Sequence, residues 1–143
     1  MSGTYEGDFY AWTMEQAALL RAGRLSEADV AHIAEEIESM GRSERNELVN
    51  RLAILLLHLL NWQHQPSLRG NSWRLSVKEQ RRAVARHLRQ NPSLKARIAG
   101  IIDDAYGDAA IRAERETGLP EDVFPPDCPW PFDRIMDDAF WPE

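Results

Sequence analysis

The sequence predicts an all-α fold: five principal helices in one bundle-like domain spanning residues 1–143, with a proline-rich C-terminal strap of short helical turns over the core. Three observations predict it. Apolar residues recur at helical spacing, and no stretch alternates with period two for long. Glycine and proline punctuate the chain at Gly23, Gly41, Pro66 to Gly70, Pro92 and Gly118 to Pro120, leaving blocks of helical length between them. Prolines then crowd the end, at 120, 125, 126, 129, 131 and 142, in a segment too apolar to be disordered. A chain of 143 residues is by default one domain. At that size folding buries roughly 68% of the unfolded surface, enough for a core without staples.

The first predicted helix runs from about Asp8, its N-cap, to Ala22. It places Phe9, Trp12, Thr13, Gln16, Leu19 and Leu20 on one face. Gly23 ends it. Ser26 caps the second helix, with Glu27 and Asp29 favourable in its first turn. Val30, Ile33, Ala34, Ile37 and Met40 form its expected buried stripe, and Gly41 its expected stop. The third helix spans about Ser43 to His64. Leu48, Leu52, Leu55, Leu56, Leu59 and Trp62 make one stripe, which Val49, Ala53, Leu57 and Leu60 widen past half the circumference. So apolar a helix belongs at the centre of a bundle. The fourth, about Ser72 to Asn91, buries Trp73, Val77, Val84 and Leu88. The fifth follows Pro92 to about Thr117, with Leu94, Ile98, Ile101, Ile102, Ala105 and Ala109 inward and Gly118 as its stop. The strap, residues 118–143, has room for short turns near Glu121 to Phe124 and Phe132 to Asp138. Trp130, Phe132 and Phe140 should face the bundle, leaving Asp133, Asp137 and Asp138 to meet basic side chains.

Composition narrows the functional classes. Hydrophobic residues make up 43% and charged residues 28%, ordinary globular values. One cysteine excludes an intramolecular disulfide framework and a Cys-rich zinc site. The start carries Glu6, Asp8 and Glu15 and no basic-then-apolar pattern, so no signal peptide is expected. The longest apolar run, Leu52 to Leu60, is about half of what a bilayer requires. The expectation is a cytoplasmic protein with no membrane partner. Charge is uneven: the net is −6, yet residues 69–97 hold nine basic groups and a single acid, Glu79.

Several strings together resemble a known family. They are Asp8-Phe9-Tyr10-Ala11-Trp12, Ala34-Glu35-Glu36-Ile37-Glu38-Ser39-Met40-Gly41-Arg42-Ser43-Glu44 and His58-Leu59-Leu60-Asn61-Trp62-Gln63. Ser72-Trp73-Arg74 with Glu79-Gln80-Arg81 follows, then Glu116-Thr117-Gly118-Leu119-Pro120 and Phe140-Trp141-Pro142. In this order and spacing the chain resembles the bacterial "domain of unknown function 29" family over nearly its whole length. His64 departs from it, standing where a Tyr is more usual. The resemblance implies an all-helical fold and a bacterial cytoplasmic origin, and it brings no established activity or functional residue.

Candidate chemistry centres on the fourth helix. Arg74, Lys78, Arg81, Arg82 and Arg89 cover an arc of about 100°, opposite its apolar face, and Trp62 and Trp73 are the aromatics expected nearby. This basic face favours a non-catalytic interaction module that meets an acidic protein partner or a second copy of the chain. Nucleic acid is the rival polyanion, opposed by a pI of 5.2. The enzyme alternative is a small hydrolase or transferase with Glu36 and His58 as a proton-transfer pair between the second and third helices and Trp62 as a wall. Its competitor is a core histidine satisfied by one neighbour. No Gly-rich phosphate loop, nucleophile elbow or His-Glu-x-x-His string occurs, and no cofactor is expected. No metal site is expected either. Asp29-x-x-His32 is the one loose relative of a bundle metal motif, and His58 and His64 point about 240° apart on one helix. Cys128 reads as an inert packed thiol. The terminal aromatics read as staples.

Overall fold

The computed structural model describes the chain from Ser2 to Glu143, with side chains from Thr4 onward, and among these residues there are helices and turns but no strand. The helices are α1 (Ser2–Gly7), α2 (Phe9–Arg21), α3 (Val30–His64), α4 (Asn71–Gln90), α5 (Ile98–Thr117) and α6 (Phe132–Ile135), with 3-10 turns between several of them. The all-α expectation holds. The chain divides into two compact units, Met1–Ser43 and Glu44–Glu143.

In the first unit Asp8 caps α2 as expected, its carboxylate accepting from the Ala11 N–H at 3.0 Å. Gly23 follows at φ +73°, a left-handed conformation that suits glycine. The segment after it departs from expectation. Ser26 lies in a 3-10 turn, Leu25–Glu27, and Asp29 supplies the cap, its Oδ1 accepting from the His32 N–H at 3.3 Å. The helix that begins at Val30 does not stop at Gly41. The predicted second and third helices are one helix of 35 residues. Gly41 lacks the positive φ a helix stop requires, and the residues around it are good helix formers that absorb the roughly 1 kcal/mol penalty of a helical glycine.

The expected buried stripe is accordingly absent. Val30, Ala34, Ile37 and Met40 are exposed, as are Phe9 and Leu20 of α2. Trp12 and Gln16, from the same predicted face of α2, are buried. Polar contacts organise them: the Trp12 indole donates to Asp29 Oδ2 at 3.2 Å, and the Asp29 N–H donates to Gln16 Oε1 at 2.7 Å.

The second unit holds the principal core. Leu48, Leu52, Leu55, Leu56, Leu59 and Leu60 of α3 are fully buried, with Val77 and Val84 of α4 and Ile101, Ala105 and Ala109 of α5. The most apolar stretch of the sequence is thus the most buried. A 3-10 stretch, Pro92–Arg97, leads into α5, which ends where Gly118 turns at φ +72°.

The strap is docked. Phe124, Trp130 and Ile135 are buried, and Phe132, Met136, Phe140 and Trp141 pack partly buried against the same core. Its short turns fall at Glu121–Val123 and Phe132–Ile135. Its acids do not pair as expected: no ion pair within 4.0 Å joins Asp133, Asp137 or Asp138 to a cation of α4 among the described residues. Backbone carbonyls hold the strap in their place. Arg81 donates through Nε to the Ile135 carbonyl at 2.8 Å and through Nη2 to that of Phe140 at 2.8 Å.

Candidate functional site

An amphipathic helix against the core must turn its other face outward, and α4 presents its cations there. Arg74, Lys78, Arg82, Arg86 and Arg89 are exposed, and none lies within ion-pair distance of a carboxylate among the described residues. Arg74 is steadied by Asn71, whose Oδ1 accepts from its Nη2 at 2.7 Å. Three cations elsewhere pair with acids: Arg24 with Glu27, Arg45 with Asp104 and Arg51 with Glu47. Arg81 leaves the basic face. It is 3% exposed, and burial lowers its pKa against the opposing pull of Asp138 and Asp137. Trp62 is not free for stacking on a ligand, because Trp141 lies 4.3 Å from its ring centroid and the Arg69 guanidinium 5.4 Å from it. Trp73 is half-buried. A groove of about 380 Å³ remains, lined by Arg74, Lys78, Arg81, Asp138 and Trp141.

The proposed proton-transfer pair is not assembled. Glu36 and His58 both belong to α3, and residues of one helix cannot face each other across a helix pair. Glu36 is engaged by Tyr5, whose phenol donates to its Oε1 at 2.5 Å. His58 is half-buried. Burial lowers its pKa and Glu116 acts the other way, so its ring is neutral at pH 7. Its Nδ1 is buried without a partner, so it is not the satisfied core histidine either. Asn61 beside it donates to Glu116 Oε1 at 3.2 Å. His64 meets the Phe124 ring edge-on, and burial lowers its pKa too.

Asp29 and His32, read from the sequence only as a loose relative of a metal motif, belong to an organised cluster in the first unit. His32 Nδ1 lies 2.6 Å from Asp29 Oδ2, and because a carboxylate only accepts, that nitrogen carries the proton. This hydrogen bond raises the His32 pKa and lowers that of Asp29. The Tyr5 ring stacks on the imidazole at 3.9 Å, and its bond to Glu36 pushes the phenol up to about 12. Asp29-x-x-His32 was the available signal, and its weakness as a metal motif hid its use as a helix cap. No hydrogen bond joins this imidazole to a hydroxyl or thiol among the described residues, so no activated nucleophile is formed.

A cleft of about 740 Å³ lies between α5 and the strap. Its polar lining includes Glu114, Glu121 and Asp122, beside the Tyr106 ring. Tyr106 donates to the Pro125 carbonyl at 2.7 Å, and burial pushes its phenol up to about 12. The Cys128 thiol donates to the Trp130 carbonyl, and burial raises its pKa. Such a thiol is unreactive.

These features define a small all-α protein with a leucine-rich core, a docked strap and one unpaired basic helix face. The chain belongs to the family described as "Domain of unknown function DUF29", whose model matches residues 4–141, nearly the whole chain. No curated protein and no solved structure matches it. None of its described helices is long and apolar enough to cross a membrane.

Proposed function

We propose that this protein is a non-catalytic interaction module whose α4 offers Arg74, Lys78, Arg82 and Arg89 to an acidic surface on a protein partner. The observation that carries this reading is the set of exposed α4 cations that no carboxylate neutralises, in a chain whose net charge is −6. Acids are abundant, yet they pair with Arg24, Arg45 and Arg51 and not with this face. Fixed unpaired charge raises the rate at which an oppositely charged partner is found and selects against partners of the same sign. Arginine predominates, and its fork of donors suits carboxylates. The uncovered apolar side chains of the first unit, Ile37 and Met40 among them, are consistent with an interacting protein.

The test is co-purification with the triple variant Arg74→Glu/Lys78→Glu/Arg82→Glu, whose positions are exposed and leave the core intact. Partners recovered with the wild type should be lost, while the far-ultraviolet circular dichroism stays unchanged. An identical set of partners would sink the proposal. Gel shifts across a salt series separate the polyanion rival, because nucleic-acid binding has log affinity falling linearly with log salt.

A further inference from the structure

We infer that the acidic partner of α4 is a second copy of this chain: Leu75 and the cations around it dock into the cleft between α5 and the strap of a neighbouring molecule. The inference rests on the reading of α4 as an interaction face and names what that face meets. Leu75 is 45% exposed, although α4 buries an apolar face in the core. At 100° per residue Arg82 and Arg86 fall about 20° to either side of it, Arg89 about 40° and Lys78 about 60°. A leucine thus stands at the centre of the exposed cations, with Glu79 the single acid of the helix.

The cleft offers the converse surface. Tyr106, Ala110, Ile111 and Phe124 give it an apolar lining, and Ile111 is 60% exposed. Its charged lining residues are Glu114, Glu121 and Asp122, all exposed. Among the described residues no cation lines it, and none lies within ion-pair distance of these three carboxylates. The walls are fixed before any partner arrives. The Tyr106 phenol ties α5 to the Pro125 carbonyl at 2.7 Å, and Pro120, Pro125 and Pro126 restrict the strap backbone. A preorganised cleft spends little of its binding energy on ordering itself.

An apolar knob among unpaired cations and an apolar cleft with unpaired carboxylates are complementary in both polarity and sign. Arginine forks suit carboxylates, and the aliphatic stems of Arg82 and Arg86 extend the apolar contact around Leu75. Like charges exclude the wrong pairings, α4 against α4 and cleft against cleft. Within one chain the two sets do not pair, so both are available to a neighbour. Because knob and cleft are different surfaces, the contact is heterologous. A twofold that seats both at once closes a dimer, and any other rotation builds a ring or a longer assembly.

Sedimentation equilibrium of the full chain should give a mean mass above the monomer that rises with protein concentration. Arg82→Glu/Arg86→Glu and Glu114→Lys/Glu121→Lys should each weaken this association at least tenfold. All four positions are exposed, so both variants should keep the wild-type circular dichroism. Mixed in equal amounts, the two variants should associate one to one, because each retains the surface the other has lost. Leu75→Ser should weaken association with no change of charge. A mixture that stays monomeric, or a wild-type association that all these substitutions leave unchanged, would overturn the inference. A wild type that is monomeric at every concentration, while the α4 triple variant still loses its co-purified partners, would overturn this inference alone and leave the interaction reading standing.

Discussion

A buried guanidinium satisfied by backbone carbonyls makes Arg81 unlike every other cation of α4. Two of its contacts are close, to the carbonyls of Ile135 and Phe140, and a third reaches that of Asp138 at 3.5 Å. Its charge also lies 5.5 Å from the Trp141 ring centroid. Hydrogen bonds to a charged group contribute about 1.5–3 kcal/mol each, and leaving their acceptors unsatisfied adds a desolvation cost. Arg81→Met should therefore lower the unfolding free energy by about 3 kcal/mol, read from denaturant melts. Arg81→Lys should rescue little of the loss, because an ammonium cannot reproduce the planar fork. A loss below about 0.5 kcal/mol, the usual range for a surface site, would return Arg81 to the exposed basic face. Its inward turn follows from its place on the helix: at 100° per residue Arg81 falls about 20° from Leu88 and about 40° from Val77, nearer the apolar face than Lys78 or Arg82. The carbonyls it meets, 54 to 59 residues away, were not legible in the sequence. The exposure of Arg74, Lys78, Arg82 and Arg89 was legible, because local periodicity alone decides it.

At the scale of elements, three glycines were read alike and behave differently. Gly23 and Gly118 adopt φ of +73° and +72° and end their helices, whereas Gly41 lies inside α3. Glycine reports that a left-handed conformation is permitted, not that it is used, so the stops at Gly23 and Gly118 were readable and the continuity at Gly41 was not. That single misreading made two helices of one and placed Glu36 opposite His58. The leucine stripe from Leu48 to Leu60, α4, α5 and the strap turns survived, because each rests on many residues and not on one signal. The distinction can be measured. A Cβ at Gly41 would meet nothing within 4 Å, so Gly41→Ala should stabilise the protein by about 0.5–1 kcal/mol and raise its melting temperature. Gly118→Ala has equal space but a strained φ, and should destabilise by about 1 kcal/mol. Opposite signs are expected from the same substitution. A destabilising Gly41→Ala would mean that the helix breaks there in solution.

For the whole chain, the decisive question is whether the C-terminal strap is part of the folded core or an addition to it. Proline restricts the strap's unfolded ensemble, so ordering it costs less than its length implies. Phe124, Trp130 and Ile135 are buried with the leucines of α3, and burying each such side chain contributes about 1.5–3 kcal/mol. Three of them supply about 5–9 kcal/mol gross, comparable with the entire margin of a typical domain. Polar links point the same way: Arg81 binds the carbonyls of Ile135 and Phe140, and Tyr106 binds that of Pro125. Truncation after Gly118 would expose the apolar surface these residues cover and leave the buried Arg81 guanidinium without its acceptors. The truncated chain should aggregate, or melt without a cooperative transition, whereas the full chain melts cooperatively. A truncated chain that stays monomeric by light scattering, with an unchanged melting temperature, would show that the strap is a removable lid. The Arg81→Met variant then supplies an independent reading, because a strap that contributes nothing to the core cannot make its clamp destabilising to lose.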